Sequence, residues 1–171
     1  MSDIRRPVGA RIPPQPAADL MTAAPRATIE NLASELEASR AGAVLLAGAA
    51  GAPAMRAAEG LAASLGASVV RVDLEAVVST YLGETEKHLD AVFKDAERAD
   101  AVLLMDEADA LLGRRTAVKD AHDRYANLDM SALLARIEAY PGLVLLATNT
   151  TATLDPAKIR RLRRVIDSPP R

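Results

Sequence analysis

The chain has 171 residues, half of them hydrophobic but only 2% aromatic, with a formal net charge of −2 and no cysteine. That length suits one domain whose core is built from Ala, Leu, Val and Ile. The charge balance argues against a general nucleic-acid binder, and the lack of cysteine excludes disulfides, zinc–thiolate sites and cysteine nucleophiles.

Residues 1–26 are proline-rich and unpatterned, as in "MSDIRRPVGARIPPQPAADLM", and are expected to form a flexible, extended arm. Arg and Pro stand where a signal peptide would carry its apolar region. From Thr28 to Ser39, Ile29, Leu32 and Leu36 share one helical face. "AVLLA" at 43–47 predicts a strand that runs into the turn "GAAGAP" and then an alanine-rich helix. The whole apolar run, Ala41 to Met55, is broken by glycines and Pro53. It falls short of the roughly 20 residues a membrane helix needs, so a cytoplasmic protein without membrane contact is expected.

Further strands are predicted at 69–73, 101–106 and 143–148, with a weaker one at 164–168. Between them, Leu89, Val92, Phe93 and Ala96 give residues 84–98 a helical stripe. Met130, Leu133, Leu134 and Ile137 do the same for 126–140, where Pro141 stops the helix. Strands apolar throughout, alternating with amphipathic helices, predict an α/β fold with a parallel sheet covered on both faces. Ligands of such folds bind at the carboxyl ends of the strands.

Two of those ends, and the segment that leads into the last strand, carry polar groups. "AVLLMDEADALLGRR" closes a strand with Asp106 and Glu107, and Asp109 follows. A carboxylate pair there suits a nucleotide hydrolase, the first acid orienting magnesium and the second polarising an attacking water. A strand leaving into a solvated acidic turn gives the same dipeptide. "LVLLATNT" ends with Asn149, which suits either a phosphate-sensing amide or a turn. "PAKIRRLRR" offers Arg160, Arg161, Arg163 and Arg164, as a finger for a neighbouring subunit's phosphate or as cations offsetting a helix dipole. A nucleic-acid patch is disfavoured, since almost no aromatic residues accompany these cations. His88 stands alone. "KDAHDR" groups Asp120, His122 and Asp123 in a pattern that suits capping and solvation better than metal ligation.

Taken in order and spacing, "VVSTYLGETEKHLDAVF", "AVLLMDEADALLGRR", "VKDAHDRYANLDMSALLARIEAY" and "LVLLATNT" resemble an ATPase domain of the AAA+ family. The likeness is strongest to bacterial members encoded with phage-tail-like contractile injection particles, and it covers about residues 28–169. It implies a three-layer α/β/α core like that of P-loop NTPases, with a five-stranded parallel sheet. It also implies ATP and magnesium as ligands. The implied assembly is a ring with itself or a related AAA+ subunit, acting on a protein substrate or injection-particle component. By position it assigns Asp106 and Glu107 to the acidic pair, with Asp106 a weak magnesium ligand, and Asn149 to the terminal-phosphate sensor. Arg160 and Arg161 fall to the paired arginines, one of which would be the trans-acting finger, and Tyr81, Leu82 and Gly83 to the loop that grips substrate in the pore. Residues 27–171 would then be the large α/β subdomain, without the small helical lid.

The glycine turn departs from this pattern. Aligned on Gly48 and Gly51, the chain has Pro53 for a glycine, Ala54 for the phosphate-binding lysine and Met55 for the magnesium-binding hydroxyl. Pro53 lacks an N–H, Ala54 lacks a cation and Met55 lacks a hard oxygen ligand. Charge-assisted bonds are worth roughly 1.5–3 kcal/mol each, so nucleotide binding should weaken by roughly two to four powers of ten. Arg56 is the only nearby cation in sequence, and it lies roughly 200° round the helix from the lysine position. The expectation is an AAA+-like domain whose hydrolysis is weak or absent and which acts through assembly or protein contact. The alternative is an active protein-remodelling ATPase.

Overall fold

The computed structural model describes residues 9–12, 31–36, 40–74, 84–114 and 129–167. Its six strands are β1 (Gly9–Ile12), β2 (Gly42–Ala47), β3 (Val69–Val72), β4 (Val102–Met105), β5 (Leu143–Thr148) and β6 (Arg164–Asp167). They form one sheet in the order β1-β3-β4-β5-β2-β6. β2 to β6 are mutually parallel, the five-stranded core expected of the fold class. β1 is an addition. It runs antiparallel to β3, with Gly9 opposite Val72 and Ile12 opposite Val69. The proline-rich arm, expected to be extended and flexible, therefore supplies an edge strand at these four residues.

Both sheet faces are covered. A helix over 31–36, termed α1, and α2 (Ala52–Ser64) pack on one side, where Leu32, Leu36, Ala54, Ala58 and Leu61 meet Val44, Val102 and Leu145. The opposite face takes α3 (Glu84–Arg98), α4 (Asp109–Leu112) and α5 (Met130–Ala139). There Leu89, Phe93, Leu133 and Ile137 meet Leu45, Leu103 and Leu146. Alternate residues of one strand feed opposite clusters, which is why β5 is buried along its whole length. α6 (Pro156–Ile159) leads into β6.

Local chemistry fixes the ends of these helices. α2 stops in a left-handed Gly66 (φ 65°), with the Gly66 amide on the Ala63 carbonyl and the Ala67 amide on Ala62. Asp129 caps α5 by accepting from the Ser131 and Ala132 amides. That helix then ends at Ala139, ahead of Pro141. Behind it the buried Tyr140 hydroxyl donates to the Ala101 carbonyl at 2.6 Å. Burial, aided by the charges of Asp100 and Glu97, pushes its pKa up to about 12. Among the described residues no helix is long and apolar enough to cross a membrane.

Candidate functional site

The carboxyl ends of β2, β4 and β5 lie side by side, and the turn after β2 is stitched to the end of β5. The Gly48 amide donates to the Thr148 carbonyl at 2.8 Å, and Ala49 bridges Thr148. Gly48 and Gly51 both take positive φ, 78° and 65°. A side chain is strained in that region, so glycine is the residue that lets the chain turn there. α2 then starts without a side-chain cap, and Pro53 occupies its first turn.

Asp106 closes against this turn. Its Oδ2 accepts from the Gly51 amide at 2.8 Å, and its Oδ1 accepts from the Glu107 amide at 3.0 Å. The guanidinium of Arg71, on β3, lies 3.9 Å from that same Oδ2. Only 15% of the Asp106 side chain is exposed, against 51% for Arg71. Sequence reading overlooked Arg71, naming Arg56 as the one neighbouring cation. The overlooked signal is a charge inside the run "VVRV", whose other three residues are buried. The Nε of Arg56 is buried without a hydrogen-bond partner among the described residues.

Glu107 follows in the left-handed region (φ 55°), an uncommon state for a residue with a side chain, and it is exposed. Asn149 is exposed just beyond β5. Ala54 is fully buried, and Met55 packs against the same cluster on the α2 face. Asp106, Gly48 and Gly51 are thus brought together at one edge, with Glu107 beside them and Asn149 next to Thr148. Tyr81, Leu82 and Gly83 lie outside the described residues, as do Asp120, His122 and Asp123. His88 is exposed on α3. Among the described residues no group of three or more His, Cys, Asp or Glu is placed to hold a metal.

The polar residues on the β5 side are bound to one another. Thr148 is buried, its hydroxyl 3.0 Å from the Thr150 carbonyl and 3.4 Å from Asp109 Oδ1. Lys158 Nζ donates to the carbonyls of Leu111 (3.0 Å) and Gly113 (3.1 Å). The Asp155 amide donates to the Leu112 carbonyl, so the end of α4 and the start of α6 are fastened together. The four arginines that follow have four different environments. Arg161 makes a fork with Glu138, both contacts 2.6 Å, and those hydrogen bonds raise its pKa further. Arg163 donates to the Ala41 carbonyl at 2.9 Å, and Arg164 pairs with Glu35 at 2.8 Å. Arg160 is exposed and makes no ion pair among the described residues.

Known proteins share the sequence pattern and the fold. Residues 26–170 match the model of the ATPase family associated with various cellular activities (AAA). Over 133 residues the chain is 32% identical to the 26S proteasome subunit RPT4 of Saccharomyces cerevisiae, covering 74% of this chain and 30% of that protein. It is 31% identical to the proteasome-activating nucleotidase of Aeropyrum pernix, over 74% of this chain and 32% of the relative. For the 26S proteasome regulatory subunit 6B homolog of Schizosaccharomyces pombe the figures are 34%, 74% and 34%. The chain therefore spans about a third of the length of these relatives. Among solved structures, a chain of the E. coli MS115-1 HORMA:CdnC:Trip13 complex superposes with a TM-score of 0.65 at 20% identity. That match covers 94% of this chain and 68% of the other.

Proposed function

The chain belongs to the AAA family of ATPases, and from that premise we propose that it is a weakened or non-catalytic AAA subunit that acts through assembly and protein contact. The observation that carries this reading is the packing of α2's first turn. Where a magnesium triphosphate needs a cation and a hydroxyl, buried Ala54 and partly buried Met55 fill the space with hydrocarbon. Pro53 removes one more donor. Asp106, the acid that the family resemblance assigns to magnesium, has both oxygens accepting from backbone amides. These residues do not fit magnesium and a triphosphate, and no hydrolytic step is derived through them.

The ring setting is part of the same proposal. Relatives named as proteasome subunits and as a proteasome-activating nucleotidase support a protein-remodelling lineage. Arg160, exposed and unpaired among the described residues, suits a group that reaches into a neighbouring subunit's site. The sequence likeness to injection-particle ATPases supplies the biological setting we favour. Gly48, Gly51, Asp106, Glu107 and Asn149, all present at the sheet edge, favour the second reading of an active remodelling ATPase.

Calorimetry separates the two. With ATP or ADP, with and without magnesium, the wild-type chain is expected to show no dissociation constant below about 1 mM. Magnesium-dependent micromolar binding would overturn the proposal and install the motor.

A further inference from the structure

We propose that Asp106 is a resident anion that occupies the glycine loop in place of phosphate, with Arg71 as its counter-ion. The inference rests on the reading of the site as a weakened phosphate loop and says what holds it closed. Two groups converge on one oxygen. Asp106 Oδ2 takes the Gly51 amide at 2.8 Å, and the Arg71 guanidinium stands 3.9 Å away. The Gly51 amide sits at the uncapped start of α2, where unpaired N–H groups and the helix dipole attract negative charge. In this chain the negative charge comes from the protein.

The losses in the loop explain why the acid is free to do this. With no hydroxyl at Met55 and no lysine at Ala54, neither a magnesium ion nor a side-chain cation holds the carboxylate away from the loop. Its second oxygen is fixed by the Glu107 amide, which orients the first toward Gly51. Arg71 reaches the site from β3, a strand hydrogen-bonded to β4, and half of its side chain remains exposed. It faces Asp106 at 3.9 Å, and it would be the cation facing any polyphosphate that displaced the carboxylate.

The consequence is a reversal of sign. An acid that ligates magnesium supports nucleotide binding, so removing its charge weakens binding. A resident anion competes with phosphate, so removing its charge strengthens binding. Inorganic triphosphate with magnesium is the probe, because only with the metal present do the two roles of Asp106 predict opposite signs. Asp106→Asn keeps an oxygen that can accept from Gly51 but loses the charge. It should bind triphosphate about tenfold more tightly than wild type. Arg71→Ala, at an exposed position, should bind it more weakly than wild type.

Equal or weaker binding by Asp106→Asn would overturn the proposal. A measurement on the wild type alone guards against a variant that does not fold: amide exchange at Gly51 should be slowed by the Asp106 bond, and exchange at the rate of a free loop would also overturn it. Failure of the weakened-site reading looks different. Micromolar magnesium–ATP binding by wild type would remove that reading. A tighter grip on magnesium triphosphate by Asp106→Asn would still establish the resident anion.

Discussion

On one side of the acidic pair, the segment from Gly48 to Met55 carries no polar side chain. On the other, the segment from Thr148 to Arg164 is dense with them, and most of those described have partners inside the fold. The contrast teaches how to read retained residues. To pack α2 on the sheet, the first segment needs only a turn and small residues, and Ala54, Ala57 and Ala58 supply the latter. A lysine and a hydroxyl there serve a ligand, and the fold loses nothing without them. The second segment is different. Thr148, Asp109, Lys158 and Glu138 hold strand ends and short helices in place, so they would persist whether or not nucleotide is cleaved. Polar residues at this edge therefore weigh less as evidence of catalysis than the loop weighs against it.

The strongest attack on that contrast is to restore the loop. Pro53→Gly, Ala54→Lys and Met55→Thr together return a donor, a cation and a magnesium ligand beside an acid already in place. Affinity for magnesium–ATP is expected to rise by roughly a hundredfold or more, read by calorimetry. The gain comes with some loss of stability, because a lysine stem must leave a position that is now fully buried. No gain in affinity would mean that the turn at Gly48–Gly51 is not shaped for phosphate, and the difference between the two segments would then concern packing alone.

Much of this was readable before any coordinates. β2, β4 and β5 are apolar runs bounded by turn residues, and burial on both faces makes such runs conspicuous, whereas β6 carries exposed Arg164 and Val165. The expectation of a weakened loop at Pro53, Ala54 and Met55 needed only the spacing from Gly48. What escaped was anything set by pairing at a distance. β1 is four residues in a proline-rich arm, and what makes them a strand is their register against β3. Arg71 meets Asp106 only because β3 and β4 are adjacent in the sheet. The pairing of Arg161 with Glu138 likewise depends on how α5 and the segment after α6 meet. Local pattern carries no record of these contacts.

A smaller effect tests whether the polar side is structural. Lys158→Met keeps most of the stem but leaves the carbonyls of Leu111 and Gly113 without their ammonium donor. Hydrogen bonds from a charged donor are worth more than neutral ones, and partial exposure reduces the loss. Stability should fall by about 1–2 kcal/mol in urea titration, with an unchanged slope. Nucleotide behaviour should not move. An unchanged midpoint would break the contrast, because retention of Lys158 would then require a reason other than the fold.

The finest distinction lies between two adjacent arginines. The Glu138 carboxylate holds Arg161 within its own subunit, at two contacts of 2.6 Å, whereas no described residue holds Arg160. In the isolated chain neither Arg160→Ala nor Arg161→Ala should shift the thermal midpoint measurably. The first removes no pair among the described residues, and the second removes one that is exposed and screened. The difference should emerge only in a mixed ring with a related, active AAA subunit, where this chain alters the partner's ATP turnover. Arg160→Ala should abolish that alteration, because the group able to swing toward a neighbour is gone. Arg161→Ala should only reduce it, because a side chain already committed to Glu138 contributes by positioning the segment. The opposite ranking would mean that assembly breaks the Glu138 pair and releases Arg161. The partnered side of the molecule would then rearrange on contact, and the pairing described for the isolated chain would mark its resting state.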